Sequence, residues 1–238
     1  MNQNPYGQQN PFSSSTGWTV AESPAEVQSA FILKTYALFF AGILAAVVMG
    51  GITLNTPLYD IALMLRQIPL LACGLLIVGG IAAQAVSRIE GLNYAALFGF
   101  TSLVGFLLTP IVDRYESMFP GIVAQAGFLT VVIFGALTAY VFVTKKDFSF
   151  MGGMLCVGGI GLFIAILANA FWFQSAGIGY WIAWISLFLF SGFVLYDTSQ
   201  IIHRHDPKSY CAAALDLFID FYMIFMSLLQ ILAGSRDD

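Results

Sequence analysis

Residues 122–143 read IVAQAGFLTVVIFGALTAYVFV, a run with no charged side chain. A helix rises about 1.5 Å per residue, so about 20 apolar residues cross a hydrocarbon core of about 30 Å, and a helix satisfies its own backbone hydrogen bonds there. The segment has the length and character of a membrane span. Working outward, similar runs occupy residues 30–52, 68–86, 92–112, 150–173, 179–202 and 211–232. Charge or Pro and Gly bound them: Asp60 and Arg66, Arg88 and Glu90, Asp113 to Pro120, Lys145 to Asp147, Gln174 to Gly179, and Arg204 to Lys208. The pattern predicts an all-α integral membrane protein with seven transmembrane helices. A β-barrel requires polar and apolar alternation, which these continuous runs lack.

Composition agrees. Hydrophobic residues make up 59% and charged residues 9% of the 238, and the mean hydropathy is +0.84. That is too little polar side chain to coat a soluble globule, so membrane lipid is the expected surrounding. A net charge of −4 with nine scattered Lys and Arg gives no basic field for phosphates, so nucleic acid is not an expected partner. Cys73, Cys156 and Cys211 lie far apart in or beside apolar runs and read as small hydrophobes. Residues 1–29 contain no Lys or Arg and are rich in Asn, Gln, Ser, Gly and Pro, unlike a signal peptide. Residues 1–22 are expected to form a disordered polar tail, and residues 23–238 the membrane domain. Ser23-Pro24-Ala25-Glu26 has the pattern of a capping box at the start of the first helix.

Basic residues favour the cytoplasmic side of short loops. With the amino terminus inside, the cytoplasmic ends carry Lys34, Arg88, Lys145, Lys146, Arg204 and Lys208, against Arg66, Arg114 and Arg236 outside. An odd number of spans places the carboxyl terminus outside. Small residues one turn apart, Gly42, Ala46 and Gly50 in the first span and Gly161, Ala165 and Asn169 in the fifth, are expected at helix contacts.

An acidic side chain well inside a span is costly and marks a candidate functional site. Asp197 lies within Phe193–Gln200 of the sixth span, and Asp216 and Asp220 lie in the seventh. The last two are four residues apart and share one helix face. The short loop from His203 to Tyr210 makes the two spans antiparallel neighbours, with all three acids at a common depth. Carboxylates crowded in a poorly hydrated place cannot all be ionised and titrate as a coupled unit. Such a group is a candidate proton switch, and when ionised it offers oxygen ligands suited to calcium at Asp197, Asp216 and Asp220. The alternative is a static, permanently protonated tie between helices. Gln84 and Asn169 read equally well as interhelical hydrogen bonders and as pathway residues. His203 and His205 read as interfacial. No His-Glu-x-x-His, nucleophile elbow, phosphate loop or paired CxxC is present, and no enzyme is expected. An intramembrane aspartyl protease also uses two aspartates, but its Gly-x-Gly-Asp signature is absent.

Lys145-Lys146-Asp147-Phe148-Ser149-Phe150, Ser191 to Gln200 with Ile201-Ile202-His203, and Ala214-Leu215-Asp216-Leu217-Phe218-Ile219-Asp220 together resemble the Bax inhibitor-1 (transmembrane Bax inhibitor motif) family, in its bacterial YccA-like branch. The resemblance runs from the first span to the carboxyl end. It implies six helices around a central seventh, a bacterial inner membrane and, in some members, a pH-sensitive calcium leak governed by two aspartates. Asp197 and Asp220 match those two positions; Asp216 is extra, standing where relatives often carry a smaller polar residue. In leak-forming relatives a basic residue near the end of the second span latches the first aspartate, and Arg88 is the candidate here. The acid that relatives carry within that span is missing between Ile68 and Ser87. The same resemblance implies a second class of function, binding to the membrane-anchored protease FtsH as substrate or modulator, with the flexible tail offering a segment to grip.

Overall fold

The computed structural model describes residues 19–236 apart from residues 88, 90, 205 and 207. Residues 1–18 of the expected tail, His205, and the candidate latch Arg88 therefore lie outside the described residues. Eight α-helices run through the remainder: α1 (Ala25–Leu54), α2 (Leu58–Arg66), α3 (Pro69–Val86), α4 (Asn93–Met118), α5 (Ile122–Thr144), α6 (Gly152–Ala168), α7 (Ala176–His203) and α8 (Tyr210–Gly234). Six helical segments are each long and apolar enough to cross a membrane, α6 together with its flanking turns, and the bent pair α2–α3 brings the number to seven when taken as one span. The protein is an all-α membrane protein.

The helices depart from the sequence reading where local chemistry overrides it. Residues 58–66, expected as a connection, form α2 because Leu58, Ile61, Ala62 and Leu65 recur at helical spacing, with Ala62 buried. It meets α3 at 105°. Ile68 is extended (φ −114°, ψ 79°) ahead of Pro69 at the start of α3, as a residue before proline prefers. Helix α4 continues past residue 112 to Met118 because its charges find partners. The Tyr59 hydroxyl donates to Asp113 Oδ2 at 2.6 Å. Glu116 accepts from the backbone N–H groups of Gly121 and Val123 (2.7 and 3.1 Å), satisfying donors at the start of α5. The capping box does not form. Pro24 is the cap residue, Ser23 Oγ donates to Thr19 O, and Gln28 ties the turn by donating to Ala21 O and Ser23 O. Part of the stretch assigned to the tail also belongs to the fold: Val20–Glu22 is a 3₁₀ turn. Val20 is fully buried there, because an apolar side chain at this point gains by joining the core.

Small residues set the α1–α4 contact as expected for the first span. Gly42 faces Thr101, Gly50 faces Thr109, and the Gly105 backbone lies directly against Ala46. The fifth-span expectation fails at Gly161, which has open space around it; Gly158 and Gly159 instead face Leu189 and Phe193 of α7. Asn169 closes a π-helical turn (Asn169–Phe173), accepting from the Ser175 N–H.

Helix α8 is the most buried span and packs against α1, α4, α5 and α7. Phe221 meets Phe39 and Phe134, which stack on each other at 4.9 Å, and Phe218 meets Phe100 edge-on. Helix α6 packs chiefly on α7, leaving much of its surface to lipid. One end of the bundle joins Lys34, 3.5 Å above the Tyr210 ring, and the Arg204–Asp147 ion pair at 3.6 Å. The other joins Arg236 to Gln125 at 2.8 Å.

Candidate functional site

The candidate acids sit on α7 and α8, and α8 is the most buried of the spans. Asp197 is six residues inside the α7 terminus, about 9 Å deep, and Asp216 and Asp220 stand about 9 and 15 Å beyond the start of α8. Because α7 and α8 are antiparallel and form the most extensive helix contact, these depths overlap. Asp197 and Asp220 face each other within side-chain hydrogen-bonding reach. Asp220 is 3% exposed, and its Oδ2 has no hydrogen-bond partner. Two carboxyl oxygens hold together only when a proton lies between them, since neither carboxylate donates. A second hydroxyl tie lies further along the same interface, where Ser227 Oγ donates to Ser186 Oγ at 2.9 Å.

Asp216 takes a different direction. Its Oδ1 accepts a hydrogen bond from Gln84 Nε2, which links α3 to α8. Gln84 thus acts as an interhelical hydrogen bonder. The three aspartates do not converge on one point: among the described residues no group of three His, Cys, Asp or Glu side chains is arranged to hold a metal. The calcium site drawn from all three acids is corrected accordingly. The i, i+4 spacing puts Asp216 on the same face as Asp220, but Gln84 engages it toward α3 while Asp220 turns to α7.

Sequence reasoning did not single out the polar groups behind the pair. Tyr36 of α1 brings its hydroxyl near Thr138 of α5 and Thr198 of α7. The signal present was Thr198 beside Asp197, but threonine in a span is common and usually bonds its own helix. Gln200 Nε2 donates to the Tyr196 hydroxyl at 2.9 Å, one turn from Asp197 on the same helix. An apolar cleft of about 290 Å³ between α3 and α4, lined by residues such as Gly79, Ala83, Gly99 and Leu103, carries no titratable side chain and lies apart from this site.

Comparison with known proteins matches residues 28–237 to the family model described as inhibitor of apoptosis-promoting Bax1. The chain belongs to the Bax inhibitor family. Bax inhibitor 1 of Schizosaccharomyces pombe is 31% identical over 222 residues, covering 92% of this chain and 82% of that one. An uncharacterized protein of Campylobacter jejuni is 37% identical over 209 residues, 86% of this chain and 88% of that one. The Escherichia coli protein named modulator of FtsH protease YccA is 39% identical over 142 residues, 59% of this chain and 64% of YccA. For this Bax inhibitor family member, the residues paired at the α7–α8 contact fall inside the matched region, and the polar amino-terminal residues precede it.

Proposed function

We propose that the protein is a pH-gated cation leak, with calcium as the transported ion, in a bacterial inner membrane with its amino terminus in the cytoplasm. The observation that carries the reading is the pairing of Asp197 with Asp220 across the α7–α8 contact. With a proton shared, the pair ties the two helices together. Once both carboxylates are ionised they repel, admit water and present hard oxygen donors of the kind calcium takes. Asp220 Oδ2, buried and unpartnered, is the natural first contact for an entering water or ion. Asp216 modulates the pair from one turn away, and its bond to Gln84 holds α3 against α8. No catalytic role is assigned to these acids.

Calcium flux into liposomes containing the purified protein tests this. Flux is expected to rise with pH in the unmodified protein. In Asp197→Asn and Asp220→Asn it should stay low at all pH, because an amide donates to the remaining carboxyl whatever the pH. Absent flux, or an unchanged pH response in both variants, overturns the leak.

The second reading is an interaction with FtsH, supported by the likeness to a protein named as a modulator of that protease. In it the acids are structural. Deleting residues 2–18, which spares the buried Val20, then lengthens the protein's lifetime in cells or changes FtsH activity; no change in either counts against it.

A further inference from the structure

The positive side chains at the ends of this bundle are met in different ways. Arg204 pairs with Asp147 at 3.6 Å, Arg236 donates to Gln125 at 2.8 Å, and Arg66 reaches the Pro110 carbonyl oxygen at 3.5 Å. Lys34 is held by aromatic rings instead. Its ammonium lies 3.5 Å from the Tyr210 ring centroid and 5.9 Å from that of Tyr94, within the reach of a cation–π contact. Asn93 is buried and ties the two tyrosines: its Nδ2 donates to the Tyr210 hydroxyl at 3.3 Å, and its Oδ1 accepts from the Tyr94 N–H at 3.0 Å. A ring quadrupole attracts a cation without carrying net charge, so the contact fixes Lys34 in place and leaves its charge uncompensated. Among the described residues no carboxylate pairs with it, and its side chain is exposed.

The depth of this charge follows from the helices around it. Tyr210 is the first residue of α8 and Asn93 the first of α4, so the ammonium stands where two spans end. That is the level of phospholipid headgroups, where tyrosine also gathers. Beneath it α1 turns an apolar side outward. Ala37, Leu44 and Val48, three, ten and fourteen residues on from Lys34, share its side of the helix, and all are exposed, Leu44 by 63% and Val48 by 51%. From Lys34 to Leu44 is about 15 Å along the axis, half of a hydrocarbon core about 30 Å thick. A fixed cation above an apolar track one leaflet long matches an anion that carries acyl chains.

We infer that Lys34, Tyr94 and Tyr210 bind the phosphate of an anionic phospholipid whose acyl chain lies along Ala37, Leu44 and Val48. The ammonium supplies the charge. The Tyr210 hydroxyl, accepting from Asn93, keeps its own proton free to donate to a phosphate oxygen. Because the three residues come from α1, α4 and α8, the lipid joins the ends of three spans, one of which carries Asp216 and Asp220. The inference stands independently of whether the protein conducts ions.

Native mass spectrometry of the full chain in detergent, titrated with phosphatidylglycerol, phosphatidylcholine or inorganic phosphate, tests the site. Phosphatidylglycerol should be retained in preference to phosphatidylcholine, and inorganic phosphate at equal concentration should not compete for it. Lys34→Gln should bind phosphatidylglycerol roughly fivefold more weakly, the factor for one basic side chain at an anionic surface, whereas Lys34→Arg should bind about as well as the unmodified protein. Lys146→Gln is the control, since that lysine is exposed in the connection between α5 and α6 at the same end of the bundle, and it should bind normally. Equal retention of the two lipids, unchanged binding in Lys34→Gln, or an equal loss in Lys146→Gln overturns the site, the last by showing attraction to any charge at this end. Competition by inorganic phosphate overturns the lipid as occupant. Should Lys34→Gln fail to fold, solid-state NMR decides: with Lys145→Arg, Lys146→Arg and Lys208→Arg combined, Lys34 is the only lysine in the chain, and its Nζ should show dipolar coupling to phosphorus in phosphatidylglycerol bilayers. No coupling overturns the site.

Discussion

Replacing Gly105 by alanine tests the helix spacing on which the bundle rests. A Cβ at this position would lie 2.2 Å from the Ala46 carbonyl oxygen and 2.9 Å from the Ala46 Cα and carbonyl carbon. Ordinary contact begins at 3.4 Å, so α1 and α4 would have to part by roughly 1 Å, and the clash is with backbone that no rotamer change relieves. Overpacking costs about 1–3 kcal/mol where side chains yield, and backbone contact lies at the upper end of that range or above it. Against this stands a helix-propensity gain of about 1 kcal/mol for alanine over glycine. The net is a loss of about 2 kcal/mol, or roughly 4–8 °C in Tm for a chain of this size. Gly51→Ala is the control, since nothing lies within 4 Å of its Cβ and it keeps the propensity gain. Thermal unfolding of both variants in detergent, followed by tryptophan fluorescence and by the surviving monomer peak on size exclusion, reads the difference. If Gly105→Ala melts at or above the unmodified protein, the close approach of α1 and α4 is wrong, and with it the packing around α8.

Two further predictions address the polar groups. In a double-mutant cycle of Gln84→Leu and Asp216→Leu, the coupling should be about 0.6–1.7 kcal/mol, the range for hydrogen bonds between membrane helices; strictly additive losses of stability would show that α3 is not tied to α8 through this bond. In the connection between α5 and α6, Ser149 holds the Asp147 carboxylate below the ordinary range, through its side chain and through its backbone N–H at 2.9 Å. A depressed value means that the contact stabilises the connection above the ordinary carboxylate pKa and is lost as pH falls through the lower one. Ser149→Ala should move the Asp147 titration, followed by carboxyl carbon chemical shift, toward the ordinary value; an unmoved titration would exclude the Ser149 hydroxyl as the cause.

The bilayer accounts for what the sequence determined alone. A hydrocarbon solvent requires long, uncharged, self-bonded helices, so the spans could be counted along the chain and three acids within them stood out as costly. Asp197 and Asp220 were legible for a second reason: a short loop makes their helices neighbours, and counting residues fixes a common depth. What counting cannot fix is rotation about each helix axis, and that only tertiary packing decided. Packing turned Asp216 to Gln84 on α3 rather than into a shared cluster, and moved the fifth-span contact from Gly161 to Gly158 and Gly159. It also drew Tyr36 of α1 to Thr138 of α5 and Thr198 of α7, residues far apart in the chain. Near the bundle ends, where water competes for polar groups, apolar periodicity and partner chemistry governed instead: Leu58–Arg66 became a helix, and Asp113 and Glu116 extended one rather than ending it. The membrane's demand is local and can be read residue by residue, whereas a side chain's partner depends on the relative rotation of helices that no single segment encodes.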